Sequence, residues 1–171
     1  MNKTRHVDVD PDPFMEQLAS TDGAIREKAR DSLVALGRSA VSPLIEALET
    51  SASKQMRWEA AKALCALVDA RSIPVLVKSL EDGDADVGWL AAEALRAFKR
   101  RSWTPILRAL IEKEGKSAAL RQGAHQVFVH QTANGFDDVL ARLVAALEPK
   151  AAPDSTVLAA EDVLNRLKAA S

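Results

Sequence analysis

The sequence predicts an all-α chain: an α-solenoid, a right-handed superhelix of about five antiparallel helix pairs. Three observations carry this reading. An apolar stripe spaced 4, 4 and 3, the spacing that one side of a helix buries, recurs at a constant interval. It reads Ile25, Ala29, Leu33 and Leu36, then Met56, Ala60, Leu64 and Leu67, then Val87, Ala91, Leu95 and Phe98, each set 31 residues after the last. Pro43, Pro74 and Pro105 keep the same 31-residue interval. Composition agrees: 47% of residues are hydrophobic but only 4% aromatic, with no tyrosine, which suits close-packed helices better than a sheet. A unit of this length holding two helices cannot bury its apolar face alone, so neighbours must stack.

Taken in order, residues 1–12 read as a flexible polar tail, and 13–171 as a single solenoid domain with repeats at about 13–37, 41–69, 72–100, 103–133 and 136–169. A short helix near Pro13 to Ala19 carries Phe14, Met15 and Leu18. Thr21-Asp22-Gly23 is a turn, and Asp22 is placed to cap the helix that follows. That helix stops at Gly37, a helix-ending residue. Proline suits a first helical turn, where its missing N–H is not needed, so Pro43, Pro74 and Pro105 are expected to open the first helix of each later pair. Leu48 and Leu80 stand 32 apart, which implies one extra residue in a helix–helix loop. Leu120, Ala124 and Phe128 restate the stripe after 33 residues. After the turn Asn134-Gly135 comes a helix with Phe136, Val139, Leu140, Leu143, Val144 and Leu147 on its apolar side. Thr156, Ala160, Leu164 and Leu167 close the series after 36.

Charge and cysteine usage narrow the function classes. A formal net charge of −1 argues against a general nucleic-acid binder, which needs a dominant basic surface. Cys65 is the only cysteine, so disulfides and cysteine metal clusters are excluded, and a cytoplasmic setting is expected. The first ten residues lack an apolar signal core, and no apolar run reaches the roughly 18 to 20 residues that span a bilayer.

The segments Arg57-Trp58-Glu59-Ala60-Ala61-Lys62-Ala63-Leu64, Ile73-Pro74-Val75-Leu76 and Leu90-Ala91-Ala92-Glu93-Ala94-Leu95 resemble the HEAT repeat. The short period resembles the variant named after phycobilisome and phycocyanobilin lyase subunits. Arg26, Arg57 and Arg121 match that family's arginine at the second position of the inner helix, whereas Gly88 departs from it. Leu120-Arg121-Gln122-Gly123-Ala124-His125 resembles a segment of small bacterial HEAT proteins. The resemblance covers about residues 13–168 and implies a scaffold that binds a protein or peptide, with no catalysis and no cofactor.

The resemblance also implies that the second helix of each pair lines a concave face. At about 100° per residue, the positions opposite the stripe are Glu27, Asp31, Val34 and Arg38; Trp58, Lys62, Cys65 and Asp69; Trp89, Glu93, Arg96 and Arg100; Gln122, Gln126, Val129 and Ala133; and Leu158, Asp162, Asn165 and Ala169. Trp58 and Trp89 hold equivalent positions in adjacent repeats, and two tryptophans turned from the core would anchor a partner. The candidate partner-binding set is Trp58, Trp89, Arg57, Lys62, Glu93, Arg96, Arg100, Gln122 and Gln126. Residues 96–121 are locally basic, with Lys99, Arg101, Arg108, Lys113, Lys116 and Arg121; charge at helix C-termini complements the macrodipole, and an acidic peptide or phosphate is the functional alternative. His125 and His130, about 140° apart on a helix, cannot grip one metal from one face. His125 is expected to border the groove or a repeat interface. A lone thiol such as Cys65 is more often inert than nucleophilic. Two enzyme-associated alternatives stand beside the scaffold: a bilin-lyase-like subunit, and a protein resembling the alkylpurine DNA glycosylases, with Trp58, Trp89 and Asp69 or Asp31 in the family's roles. Glu27, Asp31, Asp69 and Glu93 in the same groove oppose DNA. A monomer without membrane contact is the expected state.

Overall fold

The computed structural model describes residues 10–170, and the expected tail falls mostly on residues outside these. The helices are α1 (Asp12–Gln17), α2 (Gly23–Leu36), α3 (Arg38–Thr50), α4 (Lys54–Leu67), α5 (Ile73–Ser79), α6 (Ala85–Ala97), α7 (Arg100–Glu112), α8 (Ala118–Phe128), α9 (Asp137–Leu147) and α10 (Pro153–Ala169), with a 3-10 turn at Ala70–Ser72 before α5. Among the described residues there is no strand. The chain is an α-solenoid of five helix pairs, as the stripe predicts. Through α8 the pairs stack in two layers: α1, α3, α5 and α7 form one, and α2, α4, α6 and α8 form the other.

The stripe is the core of the second layer. Ala29, Leu33, Ala60, Leu64, Val87, Ala91, Leu95 and Ala124 are fully buried, and Leu120 and Phe128 nearly so. Leu36, Met56 and Leu67 are half-buried, and Ile25 is exposed at 42%, because it belongs to the first pair and no earlier repeat covers it. Three residues before each stripe stands a side-chain cap. Asp22 accepts from the Ala24 amide, Ser53 from Met56, Asp84 from Asp86 and Val87, and Ser117 from Leu120. Each cap satisfies an orphan N–H and fixes where the helix begins.

The prolines do not all open helices. Pro74 lies in the first turn of α5, but Pro43 and Pro105 sit inside α3 and α7. The cause is upstream. Gly37 (φ 64°), Val68 (φ 49°) and Lys99 (φ 52°) take positive φ at the same 31-residue interval; Gly37 alone turns α2 into α3, and Phe98 with Lys99 turns α6 into α7. Helix starts are therefore set at residues 38 and 100, and proline falls a turn further in, at the cost of one backbone hydrogen bond. Lys99 (ψ −137°) does the work of Gly37 (ψ −124°) with a Cβ attached, a strained conformation. Lys99→Gly is expected to raise the unfolding free energy by about 0.5–1 kcal/mol, the relief of strain outweighing glycine's greater chain entropy. Urea melts check this, and an unchanged or lower midpoint would show that Lys99 is unstrained.

The last pair departs from the regular stack. α10 packs along α7 and α9 packs along α8, so the two helices have exchanged layers. Their polarity within the layer is reversed as well. Arg121, at the start of α8, meets the carbonyls at the end of α9, and Gly115, past the end of α7, meets Pro153 at the start of α10. In the regular stack like ends are neighbours: Lys54, the first residue of α4, pairs with Asp84, which caps the start of α6, and Lys78 at the end of α5 with Glu49 at the end of α3. The fifth repeat thus corrects the helical-wheel expectation. Leu158, Asp162, Asn165 and Ala169 lie on α10 in the first-helix layer, and α9 continues the second-helix face. A buried aromatic knot holds the junction. Trp103 of α7 is fully buried, its ring 5.9 Å from Phe128 and 5.8 Å edge-on to Phe136, a geometry aromatic pairs favour.

Candidate functional site

The second-helix face carries the expected groove residues in unequal states. Trp89 on α6 is 52% exposed. It borders a cleft of about 190 Å³ whose far wall is Gln122 and Gln126 of α8. This cleft is narrow because α8 lies close on the end of α5: a Cβ at Gly123 would stand 2.8 Å from Leu80 Cδ2. Trp58, one repeat earlier, is only partly exposed, and Lys62 Nζ sits 4.6 Å over its ring. That cation–π contact joins two expected partner-binding residues to each other. Glu93 and Arg96 likewise pair at 2.7 Å one turn apart on α6.

Two of the expected partner-binding residues are engaged elsewhere. Arg57 binds both carboxylate oxygens of Asp82 at 2.8 and 2.9 Å and donates to the carbonyls of Ser51 and Ala52. Its planar fork ties one repeat to the loop of the next, so it is a staple between repeats. Arg26 repeats the arrangement, donating to the carbonyls of Ser20 and Thr21 and to Glu59. Arg100 is not on α6 at all; it starts α7 and stacks 4.5 Å over the Phe136 ring. Arg121, expected as part of a basic surface, is only 9% exposed and donates to the carbonyls of Ala146, Glu148 and Ala151. The first two are at the negative end of α9, which an arginine stabilises, and Ala151 lies in the loop that follows.

The Arg57–Asp82 staple carries a pH dependence. Burial would raise the Asp82 carboxyl, but hydrogen bonds from Arg57 and the Asp84 amide hold it below the ordinary carboxylate range. A lowered folded-state pKa contributes stability that is present above the unfolded value, about 3.9, and is lost as pH falls through the folded value. Thermal melts from pH 5 down to 2.5 are expected to fall more steeply for the native chain than for Arg57→Gln. Parallel curves would remove the staple from the explanation.

The remaining chemistry-bearing residues are mostly committed to structure. Asp69 accepts from the backbone and side chain of Arg71 and caps the 3-10 turn, which lowers its pKa to about 2. Cys65 is half-buried, and burial, with Glu93 nearby, raises its thiol pKa, which disfavours the nucleophilic thiolate. His125 lies at the α8–α9 interface, with Nε2 at 3.2 Å from a Glu148 carboxylate oxygen. Among the described residues no group of three or more His, Cys, Asp or Glu could hold a metal ion, and no helix is long and apolar enough to cross a membrane.

Sequence reasoning missed one cluster. Glu59 is 2% exposed and binds Arg26 at 3.0 Å and Arg30 at 2.6 Å, with the Gln55 amide at 3.2 Å. The available signal was the pair Arg26 and Arg30, one turn apart on the helix that precedes Glu59's in the stack. No curated protein matches the chain. The family model for HEAT repeats matches it twice, over residues 11–95 and 41–128, the second match ending at the last residue of α8. With more than half its length matched, and with two stacked layers of paired helices, the chain belongs to the HEAT-repeat family.

Proposed function

We propose that this protein is a non-enzymatic scaffold that binds a protein or peptide along the face lined by α2, α4, α6, α8 and α9, the concave side of the solenoid. HEAT repeats commonly serve protein interaction, and the observation that carries the reading here is Trp89. A tryptophan more than half exposed, beside two glutamines whose side chains make no hydrogen bond among the described residues, offers apolar area and uncommitted donors and acceptors in one place. Such anchors dominate binding energy at protein interfaces. Glu93 and Arg96 further along α6, with Lys62 over Trp58 on α4, are proposed as a polar rim that steers encounter more than it adds affinity. The proposed activity needs no cofactor, and the protein is proposed to act as a cytoplasmic monomer. Its 31-residue period supports placing it with the short-repeat variant named after the phycobilisome lyase subunits, among small bacterial proteins. The bilin-lyase-like and glycosylase-like readings have less support, because Asp69 is bonded to Arg71 and Cys65 carries a raised pKa.

The test is capture of the partner from native extract on immobilised protein, followed by affinity measurement. Trp89→Ala is expected to weaken binding by about 30-fold or more, the loss of a hot spot of about 2 kcal/mol. Trp58→Ala should cost less, because Lys62 already covers that ring. Circular dichroism must show both variants folded. Wild-type affinity in both would refute the role of this face.

A further inference from the structure

A second cleft, of about 500 Å³, lies on the other side of Gln122 and Gln126, between α8 and the end of α9. It exists because the last pair is inverted: α9 ends beside the start of α8, and Leu147, Glu148 and Pro149 form its outer wall. Arg121 forms its inner wall and is more than nine-tenths buried. All its hydrogen bonds leave from Nη2; the buried Nε–H meets no acceptor. No carboxylate pairs with it among the described residues. The acid on that wall, Glu148, pairs instead with His125, 3.2 Å from its Nε2, with its own side chain 58% exposed. A buried guanidinium balanced only by carbonyl dipoles, with an unused N–H, favours an added anion.

We propose that this cleft is the subsite for a carboxylate-bearing residue of the bound peptide. The partner's carboxylate takes the place of Glu148 on His125 Nε2, beside the Arg121 guanidinium, while Gln122 and Gln126 hydrogen-bond the peptide's main chain. Each glutamine carboxamide offers both a donor and an acceptor, matching the N–H and C=O of an extended segment, and the two stand one turn apart on the ridge between this cleft and Trp89. A carboxylate fits better than a phosphate. Arg121 already holds three carbonyls, and a dianion would face Glu148 with twice the repulsion. The proposal rests on the second-helix face as the binding face and specifies its occupant as an acidic peptide.

The experiment is a titration of the full ¹⁵N-labelled chain, followed by NMR, with acetyl-Ala-Glu-Ala-amide, acetyl-Ala-Gln-Ala-amide and sodium phosphate as separate probes. The glutamate tripeptide is expected to shift the Arg121 Nε–H and the Gln122 and Gln126 side-chain amides saturably, and the glutamine tripeptide to bind about tenfold more weakly, the loss of one charge-assisted bond. Glu148→Gln removes the resident competitor and should tighten the glutamate tripeptide by a few fold; Gln122→Ala/Gln126→Ala should weaken both tripeptides alike. Equal binding of the two tripeptides, weaker binding to Glu148→Gln, or tighter saturation by phosphate than by the glutamate tripeptide would each overturn the proposal. Failure of the tripeptides while Trp89→Ala still abolishes partner capture would refute the subsite alone. Tripeptide binding with capture intact in Trp89→Ala would refute the wider face alone.

Discussion

Glu59→Ala is expected to lower the unfolding free energy by about 3–5 kcal/mol, the cost of breaking a buried ion pair by removing one partner. The carboxylate is almost wholly buried and balances two arginines, whose side chains are 19% and 12% exposed. Without it, Arg26 and Arg30 stand together as like charges one turn apart between α2 and α4, opposed only by the exposed Glu27, 4.0 Å from Arg30. The loss falls on the joint between the first and second repeats, so hydrogen exchange should accelerate first in α1 and α2. The contrasting variant is Glu59→Leu with Arg26→Leu and Arg30→Met. Replacing a whole buried ionic triad by apolar groups is often neutral or stabilising, and the triple variant should melt within a few degrees of the native chain. A triple variant as unstable as Glu59→Ala would mean that the position fails for lack of shape, with charge playing no part.

Gly115→Ala is expected to cost about 2–5 kcal/mol, from strain and overpacking together. Gly115 has φ +63°, and an added Cβ would stand 2.4 Å from the Pro153 carbonyl oxygen and 3.1 Å from Thr156 Cβ. Both are in the first turn of α10, and the first is backbone, so no side-chain rotation relieves the clash. α10 must move off α7. Hydrogen exchange should therefore show α9 and α10 loosened while α2 through α6 keep native protection, a local opening of the kind repeat arrays allow. Gly37→Ala is the control: it shares the positive φ but meets no atom within 4 Å, so it should pay the strain and not the clash. Equal losses in the two variants would show that contact with α10 adds nothing.

Much of the candidate face was legible in the sequence. The wheel that placed Trp89, Gln122 and Gln126 opposite the stripe needs only the helical repeat and knowledge of which side is buried. It failed where a side chain's state depends on another repeat. Arg57 and Arg121 occupy the same position in their helices, yet one grips the carboxylate of Asp82 and the other the carbonyls closing α9. Neither partner is nearer than 25 residues in sequence, and no local pattern points to it.

The period, the pairing of helices and the buried stripe follow from residue order alone, because each arises within one helix or between a helix and its cap: a 4-4-3 spacing can bury only one side, and Asp22, Ser53, Asp84 and Ser117 mark each start. The layer a helix joins is a different kind of fact. The apolar side of α9, Val139, Leu140, Leu143 and Leu147, is buried as its sequence predicts, but the same side could face either layer. The choice is made by contacts that exist only once the chain has folded: Phe136 against Trp103, the Arg121 guanidinium on the end of α9, and Gly115 giving room to Pro153. Together they turn the last pair over and open the cleft beside Arg121, a consequence of packing between distant segments that no periodicity records.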